Sequence, residues 1–453
     1  MLIAVANQRA NEDNLGLPRD LGDGLVLRWG RPEDVQVLAT FNAHIFSEDG
    51  QPDESIGYWT RDLMRGDHPT TGPADFTIIE DTKKGGKIVS SLNLISQTWA
   101  YDGIPFGVGR PEAVGTEAEY RRKGLVRQQF EVIHARSAGR GELMQAIMGI
   151  PWYYRQFGYE MALDLGGVRR FLWQNVSKLA ADETENLRLR PANIGDIPLL
   201  TQLYAIHCSS SLISRVRNET EWLYELTSTH EKSIVHHRFF IIEDLTGKVV
   251  GYFEAAYFPS GIAVRELAVL PGHSLRSVGE FLTRALQNLS EERAKAESKP
   301  LAPNASFTLG TAHPIYTALG NQLEKQIKPY AFYIRIPDLP AFVRRIGPVL
   351  EKRLQGSVME NHSGTLRLNF YRSHMTLVFE RGQLREVGTY QPPKLEDGDA
   401  LFPDLTFLKL LLGYRSLTDL QLAYPDLFPN NERAAVLLNT LFPPRPSLVS
   451  SLG

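Results

Sequence analysis

A basic turn with a glycine stands between a strand-like run and an amphipathic one, at Val114-Gly115-Thr116-Glu117-Ala118-Glu119-Tyr120-Arg121-Arg122-Lys123-Gly124-Leu125-Val126-Arg127. The first residues read as the end of a strand. After Gly124, Val126, Phe130 and Ile133 recur at i, i+4 and i+7, which predicts a helix with one apolar face. Backbone N–H groups at a helix start, together with the helix dipole, hold a phosphate without needing a particular side chain. Gly124 lets an anion approach the backbone closely. Arg121, Arg122, Lys123 and Arg127 bring positive charge to the place where a pyrophosphate would lie. Taken alone, such a turn is more often a solvated loop.

A second chemistry-bearing segment follows at Ile150-Pro151-Trp152-Tyr153-Tyr154-Arg155-Gln156-Phe157-Gly158-Tyr159-Glu160. Pro151 suits the first position of a helix and Gly158 the residue just past its end, so Tyr154 sits midway along a very short helix. A phenol of ordinary pKa near ~10 is protonated at neutral pH and can donate a proton. By itself this aromatic cluster also reads as core packing.

The elements that must position these residues fall into three blocks after an N-terminal arm, 1–24, rich in polar residues and glycine. The first block, 25–173, opens with the alternating run Leu25 to Trp29. It continues with a helix start at Pro32-Glu33-Asp34 and strand-like runs at Phe76 to Glu80 and Lys87 to Ile95. The second, 187–338, repeats that order: Leu187-Arg188-Leu189-Arg190-Pro191 resembles the opening of the first, and Phe239 to Asp244 resembles Phe76 to Asp81. An internal duplication explains this economically. The third, 340–453, has the pattern of an α+β domain, with apolar runs at Leu405 to Leu412 and Ala434 to Leu441. The fold class is therefore α/β and α+β.

Composition narrows the function classes. The chain has 453 residues, 43% hydrophobic and 22% charged, with 52 acidic against 49 basic side chains and a net charge of −3. That excludes a globally basic nucleic-acid binder. A single cysteine, Cys208, excludes a disulfide framework and a Cys-rich metal site. No run reaches the roughly 20 apolar residues of a membrane helix. The expectation is a cytoplasmic protein with no metal, no nucleic-acid partner and no membrane partner.

Together the two segments resemble the GCN5-related N-acetyltransferase (GNAT) superfamily. Its pattern, Arg/Gln-x-x-Gly-x-Gly/Ala, is met by Arg121 to Val126, with Val126 where Gly or Ala is usual. A Tyr four residues before a Gly follows as Tyr154 and Gly158. Two GNAT-like blocks and an α+β tail resemble the enhanced-intracellular-survival type, which has tandem GNAT domains and a C-terminal sterol-carrier-protein-like domain. Its basic turn, Arg-Arg-Arg/Lys-Gly-Leu/Val-Leu/Val-Arg, fits Arg121 to Arg127.

The resemblance implies an acetyl-CoA-dependent N-acetyltransferase acting on a primary amine of aminoglycoside, polyamine or lysine type, small-molecule or peptide. Arg121, Arg122, Lys123, Gly124, Leu125 and Val126 would hold the pyrophosphate. Val114, Gly115 and Thr116 would pair with the pantetheine arm, and Tyr154 would be the general acid. The base is the α-carboxylate of Gly453, or else a water chain or a carboxylate such as Glu48 or Asp49; His44 is unassigned and His134 reads as structural. The second block lacks the basic motif at Leu270 to Gly279. Although its Tyr316 precedes Gly320 by four residues, it reads as a degenerate copy. The resemblance also implies a homo-oligomer, of hexameric type. The competing readings are a lipid or apolar-ligand carrier and a non-catalytic assembly protein on the same scaffold.

Overall fold

The computed structural model describes residues 15–47, 50–258 and 260–449. The chain divides into two compact units, Met1–Leu163 with Leu212–Val216 and Ala331–Ser447, and Asp164–Ser211 with Arg217–Tyr330 and Leu448–Gly453. These units do not follow the three composition blocks, since most of the third block clusters with the first.

In the first unit, strands β1 (Arg19–Asp20) and β2 (Leu25–Trp29) lead to helices α1 (Val35–Ile45) and α2 (Glu54–Met64). Then come β3 (Phe76–Asp81), β4 (Lys87–Tyr101), β5 (Ile104–Thr116), helix α3 (Leu125–Gly139), β6 (Met144–Ile147) and β7 (Glu160–Leu165). The sheet runs β1 to β6 in order, followed by Tyr330–Arg335 and then β7; Ile213–Val216 pairs with the far end of β4. Arg19 and Asp20, read from sequence as part of the loose arm, pair antiparallel with Leu27 and Val26 and form the sheet's edge.

Alternation along β4 puts Ser90, Leu92 and Leu94 on one face, toward α3. Leu92 and Leu94 pack with Phe130 and Ile133 of α3, and Ser90 Oγ donates to Gln129 on the same helix at 2.8 Å. Phe130 is 1% exposed and stacks on Phe157 at 4.4 Å. Burying each large apolar side chain here contributes about 1.5–3 kcal/mol. The face predicted for α3 is therefore the one that meets the sheet.

Two breaks in the ladder shape the site. First, β5 is parallel to β6 but pairs with it only at Val108↔Met144 and Gly109↔Gln145, so the strands part beyond Gly109. Second, Ser91 faces Gly115 and Asn93 faces Glu112 across the β4–β5 pair. Ala113 and Val114 thus oppose the single residue Leu92, and Ala113 takes a positive φ of 49°. This is a bulge that bends the end of β5. Close by, a Cβ on Gly115 would lie 2.7 Å from Ile45 Cγ2 of α1. Gly115→Val is expected to lower stability by about 1–3 kcal/mol, read as a fall in Tm by scanning calorimetry.

The third block contributes a five-stranded sheet, built on Gly364–Asn369, His374–Glu380 and Gln383–Gly388 and extended by Ala400–Leu401 and Phe428–Pro429. Phe342 sets its ring edge-on to Tyr101 and Phe106 at 6.2 and 5.1 Å, and the Tyr101 hydroxyl donates to the Leu411 carbonyl at 2.8 Å. Those contacts join the block to β4 and β5. The apolar run at Leu408 to Leu412 and the residues Leu437, Leu438, Leu441 and Phe442 are buried.

The second unit has a six-stranded sheet in the order Arg169–Leu172, Asn304–Phe307, Gly261–Val269, Val249–Phe258, Arg238–Asp244, Leu187–Pro191. Gly261–Val269 and Asn304–Phe307 are parallel and are joined through the helix Leu275–Glu297. One motif recurs in both units. Arg28 binds Asp34 at 2.7 Å and Glu80 at 2.6 Å, while Arg190 binds Asp196 at 2.7 Å and Glu243 at 2.6 Å.

Candidate active site

The turn between β5 and α3 opens into a groove of about 630 Å³ in the first unit. Its walls include Val114, Gly115, Thr116, Arg121, Arg122, Gly124, Leu125 and Val126, joined by Ile45 and Phe46 at the end of α1 and by Tyr153, Gln156 and Phe157. Gly124 is left-handed, at φ 76° and ψ 7°, and no side chain caps α3. The first N–H groups of that helix are the donors a helix leaves without internal partners. A Cβ on Gly124 would meet no protein atom within 4 Å, so its open side faces the groove and not the protein. Arg122 is also left-handed, at φ 64°.

Tyr120 anchors the turn. It is 4% exposed, and its hydroxyl donates to Asp81 at 2.7 Å. That bond and the backbone N–H of Lys83 hold the Asp81 carboxyl below its usual range. Lys123, absent from the groove walls, lies over the Tyr120 ring at 4.7 Å. Arg127 rests over Phe157 at 5.3 Å and donates to Gln156 at 3.0 Å, which fixes its charge beside the groove.

The predicted short helix is a single turn of 3-10 helix, Tyr153–Phe157, ended by left-handed Gly158 at φ 84°. It starts two residues later than Pro151 suggested, because Trp152 takes a left-handed conformation at φ 67° and caps it. The Trp152 N–H donates to the Tyr333 hydroxyl at 2.5 Å. Tyr153 lines the groove. Tyr154 turns inward, is 3% exposed, and packs against Phe130 at 6.0 Å and Tyr333 at 5.5 Å. Its hydroxyl lies beside Gly149, where a Cβ would stand 3.7 Å away. Burial raises the phenol well above its usual pKa, and the Glu112 carboxylate raises it further.

Glu112 is a residue the sequence reading missed. It pairs with Arg110 on β5, the two side chains being 8% and 2% exposed, and burial raises its carboxyl above the usual range. The alternation of β5 places Glu112 on a buried face only once the bulge is known, and nothing in the sequence marks that bulge. Next to the Tyr154 turn, Glu160 receives Arg155 at 2.6 Å and the buried Lys409 at 2.9 Å. Burial, the largest influence, lowers the ammonium pKa of Lys409. Breaking such a buried pair leaves an uncompensated charge, so the third block pins the start of β7. His134 Nε2 lies 2.9 Å from the Tyr159 hydroxyl; burial lowers its pKa to about 3 and keeps the ring neutral, a structural setting.

Gly453, Glu48 and Asp49 lie outside the described residues. His44 belongs to the last turn of α1. In the second unit the Tyr316 hydroxyl donates to the Phe307 carbonyl at 2.9 Å and accepts from the Leu309 N–H at 3.1 Å. His207 Nδ1 and His313 Nε2 each stand 3.2 Å from the carbonyl oxygen of Leu267, on the strand Gly261–Val269. Ser274 caps the following helix, accepting from the Ser277 N–H at 3.2 Å. Among the described residues no group of three or more His, Cys, Asp or Glu is placed to hold a metal ion, and no helix is long and apolar enough to cross a membrane.

Residues 30–162 match the model of an acetyltransferase (GNAT) domain family. No curated protein matches the chain. Several solved structures share the fold along most of the chain. A conserved Enterococcus faecalis protein of unknown function, named a probable N-acyltransferase, has a TM-score of 0.66 at 12% identity, covering 95% of this chain and 100% of its own. A GCN5-related N-acetyltransferase from Kribbella flavida has 0.60 at 17% identity, covering 94% and 97%. Eis1 from Mycobacterium abscessus has 0.54 at 14% identity, covering 93% and 98%. At such identities the likeness is one of fold.

Proposed function

We propose that the chain is an acetyl-CoA-dependent N-acetyltransferase that acetylates a primary amine. One observation carries the reading: the uncapped first turn of α3, entered through left-handed Gly124, opens into a groove lined by the parted edge of β5. The N–H groups from Arg122 to Val126 suit a pyrophosphate, and Arg121 and Arg122 add charge. Val114 to Thr116, beyond the point where β6 leaves β5, offer backbone groups to an amide-bearing pantetheine arm. Acetyl transfer requires a neutral amine, a stabilised oxyanion and a proton for the departing thiolate. Tyr154, held protonated by burial, is the acid for the sulfur. Glu112, a buried carboxylate whose charge acts on Tyr154, takes the amine's proton in this reading; the Gly453 carboxylate is the alternative acceptor.

The second unit we read as a degenerate copy of the first. Its turn is capped by Ser274, its Tyr316 hydroxyl is committed to backbone, and His313 approaches the strand edge where an arm would bind. Calorimetry with acetyl-CoA, followed by thiol-release assays over a panel of primary amines, tests the proposal. Saturable binding and amine-dependent thiol release are expected; absence of acetyl-CoA binding overturns it.

A further inference from the structure

The face of β4 and β5 turned toward α1 carries buried polar groups that the fold does not use. Gly115 faces Ile45 of α1. Ser91 is directly opposite Gly115, and Asn93 is two residues along from Ser91 and directly opposite Glu112. Directly opposed residues of an antiparallel pair share a face, so Ser91, Asn93 and Glu112 all point toward α1. On α1, Asn42 sits one turn before Ile45 and donates to Thr60 Oγ1 at 3.0 Å. Asn42, Ser91 and Asn93 are 0% exposed. Even so, Asn42 Oδ1, Ser91 Oγ and both polar atoms of Asn93 have no hydrogen-bond partner. Leaving a buried polar atom unpaired costs about 1–3 kcal/mol, and three such atoms on this sheet face with a fourth on α1 are not accounted for by packing.

Resting on the acetyltransferase reading, we propose that Asn42, Ser91, Asn93 and Glu112 form the acceptor subsite and bind the protonated end of a primary alkylamine. The chemistry matches group by group. An ammonium offers three N–H donors; the sheet face presents one amide oxygen, a hydroxyl and a carboxylate, and α1 a second amide oxygen. Arg110 takes one oxygen of Glu112, leaving the other for the amine. The subsite adjoins the groove wall at Ile45 and Gly115, while its own four residues are buried and do not line the groove; in this proposal, therefore, only a narrow, unbranched alkylamine reaches it and an amine on a ring carbon does not. In the step itself the ammonium first loses a proton to Glu112. The neutral nitrogen then forms the C–N bond to the thioester carbonyl as the C–S bond breaks. The sulfur takes the Tyr154 proton, and the second nitrogen proton leaves to solvent.

With saturating acetyl-CoA, n-butylamine is expected to be acetylated with a kcat/KM at least about ten-fold above that of cyclohexylamine. Asn93→Leu is expected to raise the n-butylamine KM about ten-fold without changing acetyl-CoA affinity by calorimetry. Equal or better use of cyclohexylamine, or an unchanged KM in Asn93→Leu, overturns the subsite while acetyl-CoA binding preserves the activity. Loss of acetyl-CoA binding by the wild type overturns both. Should the leucine variant fail to fold, the wild type decides: n-butylamine must compete with a second amine acceptor where n-butanol does not, and equal inhibition by the alcohol overturns the subsite.

Discussion

Gly124→Glu is expected to leave the protein folded and to weaken acetyl-CoA binding by about a hundred-fold or more, as measured by calorimetry. Folding survives because a Cβ at this position touches no protein atom within 4 Å. The left-handed backbone at φ 76° costs a non-glycine residue only about 1 kcal/mol. Binding suffers for two separate reasons. The side chain occupies the open side of the turn, and in the proposed complex its carboxylate opposes the diphosphate assigned to Arg121 and Arg122. Gly124→Ala separates these contributions, since it carries the backbone strain and little of the bulk but none of the charge. It should lose about as much stability as the glutamate variant and far less affinity. If both variants bound acetyl-CoA as the wild type does, the turn would not be the pyrophosphate site.

The strand–turn–helix form of this segment was legible in the sequence because it is local. A strand end, a basic run, a glycine and a 3.6-residue apolar period occupy 20 consecutive positions, 114–133, and each property acts through its neighbours. The same holds for Gly158, whose left-handed conformation ends the short helix as its residue type predicts. What the sequence hid is non-local. Glu112 lies just before the strand end read at Val114 to Thr116, outside the segment that the sequence marks. Its direction is set by the bulge at Ala113 and Val114, a product of the register between β4 and β5. Trp152 is a left-handed aromatic residue, which propensity disfavours; it is held by the hydrogen bond its N–H donates to the hydroxyl of Tyr333, 181 positions later in the chain. The grouping of the third block with the first likewise depends on Lys409 finding Glu160 and on Tyr101 finding Leu411, pairs that no window on the sequence contains.

Tyr154→Phe is expected to lower kcat by about 10²–10³-fold while acetyl-CoA affinity stays within about two-fold of wild type. The substitution removes one hydroxyl and keeps the ring, so the packing against Phe130 and Tyr333 survives. The groove wall is contributed by Tyr153 and is untouched. The pH dependence follows from the direction of the shift. A general acid works only while protonated, and burial, reinforced by Glu112, raises this phenol above its usual pKa. The active form therefore persists as pH rises, and Tyr154 contributes no falling limb to kcat below about pH 10. A nearby cation lowering the phenol would instead produce such a limb near neutrality. Measured pH–rate profiles of the wild type and the phenylalanine variant distinguish these cases. A limb below pH 9 that vanishes in Tyr154→Phe would mean that the phenol ionises early, contrary to its burial. Unchanged turnover in the variant would remove Tyr154 from the proton transfer and leave the thiolate to be protonated by solvent reaching the groove.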